Sequence, residues 1–241
     1  MSNIESFRSH YHKKCSTNTA YLVPHGAIRL GVLGFEDAPL IGKNLERACQ
    51  LIRDGVEQGA VGFATGMSYH PNAWSNTEEL VALCKVVREV GGVYVTHLRD
   101  VNTDRGFGGG GVPEAIEIGR LSGGPVHFSH HRTNVETAGN ISDRMNLIDK
   151  AKLNGLDCTL DIYPYASGST FAAALLPSHA HEGGPDRIIG RLKNKKERSD
   201  IIRSMNNNED RPLHEIILSY VPRCNILEGT PLVVEAENRG L

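Results

Sequence analysis

Two histidines stand where their spacing has chemical meaning. One apolar run ends in Val95-Thr96-His97-Leu98-Arg99 and a later one in Phe128-Ser129-His130-His131-Arg132. The offset is 130 − 97 = 33 residues, and one strand, one helix and two turns need roughly 30. On neighbouring parallel strands His97 and His130 would sit at equal height on the C-terminal edge, about 5 Å apart across the ladder. Imidazoles at that separation can converge on one zinc ion, with nitrogens about 2.0–2.1 Å from it. Such an ion draws the pKa of water towards neutrality and polarises a carbonyl. A lone histidine at a strand end is ordinarily a hydrogen-bonded structural residue, and the pairing in register is what raises the metal reading beside it. His131 is the alternative to His130; it should face the other way, and periodicity alone does not choose between them.

Further candidates lie after other apolar runs. Asp161-Ile162-Tyr163-Pro164-Tyr165 leads into Ala166-Ser167-Gly168-Ser169-Thr170. There the Tyr163 and Ser169 hydroxyls and the amides around Gly168 suit an oxygen-rich ligand, although an ordinary turn explains the same composition. Thr65-Gly66-Met67-Ser68-Tyr69-His70-Pro71 follows another run and points Tyr69 towards the same mouth. His25 and Arg29 flank the first expected strand, and a structural role is expected for His25.

The elements that must position these residues are legible as a rhythm. Apolar runs begin at Ile28, Val61, Val93, Val126 and Cys158, in steps of 33, 32, 33 and 32 residues. Helical patterns lie between them, over Asn44–Gln58, from Asn76 onward and over Ser142–Leu153. Strands alternating with helices predict a parallel sheet covered by helices. Equal unit lengths, and no G-x-G-x-x-G after the first strand, favour a (βα) barrel over an open doubly wound sheet. About five units are visible where a full barrel needs about eight. After Tyr165 the rhythm stops: Ser178–Pro212 is polar and expected to be helical, and the apolar run Ile216–Val221 follows it. The expected division is residues 1–175 as a barrel portion and 176–241 as a helical insertion or subdomain. The glycine-rich loop Asn102–Gly111 reads as a surface connection or, alternatively, as a lid over the strand ends.

Composition narrows the classes. The chain has 241 residues with 26 Lys+Arg against 28 Asp+Glu, a net charge of −2, so it lacks the basic excess of a nucleic-acid binder. It contains no run of 18 or more apolar residues, so no transmembrane helix is expected. The start, Met1-Ser2-Asn3-Ile4-Glu5, has no basic-then-apolar signal pattern. Five scattered cysteines without a CxxC pair point to a reducing, cytoplasmic setting.

Taken together, several segments resemble the N-acyl-D-amino-acid deacylases (D-aminoacylases) of the amidohydrolase superfamily, from about Asn18 to Leu241. They are Leu22-Val23-Pro24-His25-Gly26-Ala27-Ile28-Arg29, Gly62 to Pro71, Thr96-His97-Leu98-Arg99, Ser129-His130-His131-Arg132, Asp161 to Thr170, and Leu175-Leu176-Pro177 with His181-Glu182-Gly183-Gly184. The resemblance implies a zinc-dependent (βα)8 barrel hydrolysing the amide of a small N-acyl-D-amino acid. It implies His97 and His130 as metal ligands, and Tyr69, Arg132, Tyr163 and Ser169 as substrate contacts. Arg132 stands where the family usually has Lys, and arginine keeps the charge and can bind a carboxylate through two bonds.

The resemblance is to the middle of such an enzyme. The first-strand H-x-H metal pair, the bridging cysteine and the downstream catalytic aspartate are expected to have no counterpart here. A partial barrel also exposes sheet edges through which copies could associate. The isolated chain is therefore expected to be nearly inactive; the alternative is a non-catalytic remnant or truncated product keeping part of the pocket.

Overall fold

The computed structural model describes residues 3–99, 103–133, 139–206, 213–222 and 224–240. Its centre is a five-stranded, all-parallel sheet in sequence order: β1 (Leu22–Pro24), β2 (Gly62–Gly66), β3 (Val93–His97), β4 (Val126–Phe128) and β5 (Cys158–Leu160). Each strand returns through a helix, since parallel neighbours need a long crossover. The helices are α1 (Ile4–Ser9), α2 (His25–Leu33), α3 (Gly42–Glu57), α4 (Thr77–Glu89), α5 (Gly111–Ser122) and α6 (Ser142–Leu153), followed by α7 (Pro185–Lys193), α8 (Lys195–Asn206) and α9 (Leu232–Asn238). None of the described helices is long and apolar enough to cross a membrane.

Local sequence accounts for the helix ends. The Asn76 side chain accepts the Glu79 N–H and caps α4, satisfying a donor that the first turn leaves open. At the other end of α5, Gly123 adopts φ +71°, the left-handed conformation that closes a helix most readily with glycine.

One expected strand is a helix. The apolar run Ile28–Leu33 lies inside α2, and the first strand is the shorter Leu22–Pro24 before it. Ile28 and Arg29, adjacent and both buried, meet the core from successive helical positions. Three residues suffice to pair β1 with β2, so the longer run was free to form the covering helix. Consequently His25 directly follows β1, and His25 and Arg29 both occupy the first turns of α2.

The two faces of the sheet differ sharply. Towards the helices point Val23, Phe63, Tyr94, Val126 and Cys158, which lie in register across all five strands and are all buried. Phe63, Phe128, Leu80, Leu83, Ile52 and Ile118 complete this layer at 1% exposure or less, and burying each stabilises the fold by roughly 1.5–3 kcal/mol. The opposite row, Ala64, Val95, His127 and Thr159, is half-buried to exposed.

Among the described residues, Arg29 and Arg99 are buried in the helix layer, each against a carboxylate. Arg29 Nη1 meets Glu79 Oε2 at 2.6 Å and His25 Nε2 meets Glu79 Oε1 at 3.0 Å, while the Leu40 N–H donates to the same carboxylate. Arg99 Nε donates to Glu114 at 2.9 Å and its other nitrogens to the carbonyls of Ala73 and Ser75. The described part of the expected lid loop, Thr103–Gly111, is tied down against α4: Thr77 donates its N–H to the Arg105 carbonyl, and Arg105 pairs with Asp37 at 2.6 Å. Asn102, where that loop was expected to begin, lies outside the described residues.

Candidate active site

His97 is the last residue of β3 and belongs to the open row of the sheet. The register pairs Thr96 with Phe128, so the position opposite His97 is Ser129 and His130 lies one residue beyond. The backbone makes up the difference. His130 has φ +37°, which costs an L-residue about 1–2 kcal/mol; among the described residues only Lys13 shares a positive φ without being glycine. The Asp161 carboxylate accepts the His130 N–H, the Asp161 carbonyl accepts the His131 N–H at 2.7 Å, and the Phe128 carbonyl accepts the Asp161 N–H at 3.1 Å.

The turn brings the rings together. His97 Nδ1 lies 2.7 Å from His130 Nε2, with ring centroids 4.6 Å apart and planes at 70°. One proton between the two nitrogens makes this a hydrogen bond, and in place of that proton the two rings would be the residues to hold a shared cation. Burial, then the neighbouring His97, lowers the His130 pKa, keeping its ring in the neutral form that can ligate. His131 goes the other way, buried against the Phe128 ring at 6.0 Å. Burial and then Arg144 lower its pKa.

A cavity of about 650 Å³ opens over this pair, lined by His97, His130, Tyr69, Arg132, Tyr163 and Ser169 among others. All six residues singled out from the sequence therefore border one space. The Tyr69 ring lies 5.1 Å from His97 and stacks on Phe171 at 5.4 Å, and the Tyr163 ring lies 5.9 Å from His130. Gly168 sits beneath the Tyr163 hydroxyl, where an added Cβ would come within 3.7 Å of it.

His127 also belongs to this rim, although no motif in the sequence marks it. Its Nε2 lies 3.0 Å from Asp161 Oδ2 and its Nδ1 2.7 Å from Thr159 Oγ1. The signal was present in strand alternation, which puts His127 on the open face beside Thr159. Two H-x-H spacings also occur, at His10-Tyr11-His12 and His179-Ala180-His181. Neither stands on a strand: the first follows α1 in an exposed turn and the second lies in a short 3-10 turn. Among the described residues no group of three or more His, Cys, Asp or Glu side chains is arranged to hold a metal ion. The donor set is thus two converging imidazoles, one fewer than the three protein ligands of an ordinary catalytic zinc.

No family model matches the chain. It is 31% identical over 172 residues to an N-acyl-D-glutamate deacylase of Alcaligenes xylosoxydans xylosoxydans, covering 71% of this chain and 34% of that protein. It is also 31% identical to a D-aminoacylase of the same organism, covering 64% of this chain and 31% of that protein. A solved D-aminoacylase, described as defining a subset of amidohydrolases, superposes with TM-score 0.72 at 25% identity over 99% of this chain and 43% of its own. The N-acyl-D-glutamate deacylase of Bordetella bronchiseptica, solved with zinc and a phosphonate inhibitor, shares the fold with TM-score 0.73 at 23% identity over the same shares. The sheet and its helices are those of part of an amidohydrolase (βα)8 barrel. Within that class the chain is a relative of the N-acyl-D-amino-acid deacylases, spanning about a third of the length of the curated members it matches.

Proposed function

We propose that this chain carries the zinc-binding and substrate-carboxylate-binding part of a deacylase site, one that hydrolyses the amide C–N bond of N-acyl-D-amino acids. One observation supports the reading above others: His97 Nδ1 and His130 Nε2 meet at 2.7 Å at the edge of a cavity that Arg132, Tyr163 and Ser169 also line. Two imidazoles suit zinc, which when bound polarises an acyl carbonyl and lowers the pKa of a water. The chain's own residues hold the substrate. The Arg132 guanidinium pairs with its carboxylate, the Tyr163 and Ser169 hydroxyls donate to the same group, and the Tyr69 ring packs beside it. A proton must also pass from water to the leaving amine. Asp161, the described carboxylate nearest this turn, is occupied by His127 and the His130 N–H, so slow turnover is expected of the chain by itself.

A non-catalytic protein keeping the pocket is the second reading, favoured by the two-membered donor set among the described residues. Binding of N-acetyl-D-methionine and of its L enantiomer to the zinc-loaded chain, followed by calorimetry, tests the deacylase reading. The D compound should bind more tightly, and Arg132→Ala should weaken it about tenfold or more. Equal affinity for both enantiomers, or none for either, would overturn it. Robust hydrolysis abolished by His97→Ala would show that the chain alone suffices and would exclude the non-catalytic reading.

We also keep the division at about residue 175, since α7 and α8 pack on each other beyond the last strand. Five unpaired cysteines support a reducing, cytoplasmic location. β1 and β5 are the outer strands of the described sheet and would be the edges for any self-association.

A further inference from the structure

The turn that delivers His130 is held from the next strand rather than by its own residues. Asp161 follows β5 and engages the segment 128–131 three times: its N–H donates to the Phe128 carbonyl, its carbonyl accepts the His131 N–H, and its carboxylate accepts the His130 N–H. The first two bonds continue the parallel ladder and any residue could make them. The third needs a side-chain acceptor, and it falls on the residue whose φ is +37°. The carboxylate is itself oriented, because its second oxygen lies 3.0 Å from His127 Nε2 and the far side of that ring lies 2.7 Å from Thr159 Oγ1. A carboxylate only accepts, so His127 carries a proton on Nε2, and in the neutral ring Nδ1 accepts the Thr159 hydroxyl. Thr159, His127 and Asp161 thus form a chain across the open face of the sheet, ending on the backbone of His130.

We propose that Asp161, braced by His127 and Thr159, is a positioning residue that fixes the left-handed turn and so aims the His130 ring at His97. This deepens the deacylase reading and rests on it for the role of His130 towards a metal. The role of Asp161 is support at one remove, the kind of outer partner whose loss typically weakens a metal site about 10–100-fold.

The same chain of donors makes the two obvious substitutions behave differently. In Asp161→Asn the amide oxygen can still accept the His130 N–H, but the amide nitrogen then faces His127 Nε2 and must donate. His127 must therefore move its proton to Nδ1 and donate to Thr159. In Asp161→Ala the acceptor is gone and His130 is released.

The test uses the whole chain at pH 8, with backbone-amide and histidine-ring nitrogen spectra recorded without metal and cobalt(II) titration followed by visible absorption. The expected wild-type result is a His127 proton on Nε2 and a downfield His130 amide. Asp161→Asn should keep the downfield amide, switch the His127 tautomer, and bind cobalt within about threefold of wild type. Asp161→Ala should lose the downfield amide and bind cobalt about 10–100-fold more weakly. An unchanged His130 amide and ring in Asp161→Ala would overturn the proposal. If that variant does not fold, Asp161→Asn decides alone: an unswitched His127 tautomer overturns it. If wild type binds no cobalt, the metal reading fails while the metal-free spectra still judge the role of Asp161.

Discussion

The two faces of the sheet follow opposite rules. On the helix side apolar side chains form the layer and the buried Arg29 and Arg99 each meet a carboxylate, as in Glu79, which takes Arg29, His25 and the Leu40 amide at once. On the open side polar residues face a cavity, one of them on a backbone conformation that its side chain does not favour. The first arrangement spends its interactions on stability, and the second spends stability on geometry. If this contrast is right, substitutions on the two faces should separate cleanly between unfolding and ligand binding.

The largest effects belong to the helix layer. Glu79→Ala leaves the fully buried Arg29 without its partner, and a loss of about 3–5 kcal/mol is expected. Phe128→Ala should cost a similar amount, about 3–5 kcal/mol, through the cavity it leaves. Urea unfolding measures both, and a loss below about 1 kcal/mol for either would erase the distinction between the faces.

Acid should act on the buried histidines next. Burial lowers the pKa of His25; burial and then the stacked His181 lower that of His70 to about 4; and burial lowers that of His181. Each is neutral in the fold and gains a proton more readily when unfolded. Stability is therefore full above the ordinary value of 6.5 and falls as pH drops from there towards about 4. Thermal unfolding across that range checks the sign, and stability that rose on acidification would contradict it.

At the rim the effect on stability should be small and can change sign. His130→Gly removes the positive-φ penalty and should be about 1 kcal/mol more stable than His130→Ala, while both lose metal binding. The smallest effect is expected at the exposed Arg53–Glu89 pair, 38% and 60% exposed, where Arg53→Ala should change stability by at most about 1 kcal/mol.

How much of this the sequence disclosed depends on how local the cause is. Helix α6 was legible at both ends, Ser142 and Leu153, because its pattern and the following Asn154-Gly155 are local signals. The 33-residue offset placed His97 and His130 at one rim only to within one residue, because the register pairs positions 32 apart and a local turn makes up the difference. The first strand was misplaced because Ile28–Leu33 is apolar enough for either element, and only pairing with β2 selects Leu22–Pro24. The left-handed turn at His130 was not legible at all. It depends on a carboxylate arriving from residue 161, a partner 31 positions away that no local pattern announces. Strand alternation puts His127 on the open face, but its partners Thr159 and Asp161 come from the neighbouring strand and give no local signal.

Histidine ring-nitrogen spectra recorded during a zinc titration of the whole chain reach the central claim most directly, because they identify ligating nitrogens even when binding is weak. His97 Nδ1 and His130 Nε2 should shift together, with one dependence on zinc concentration, and replacing either residue by alanine should abolish the shift at the other. Zinc-dependent shifts confined to other histidines, or one of these two responding without its neighbour, would contradict a shared ion at this rim.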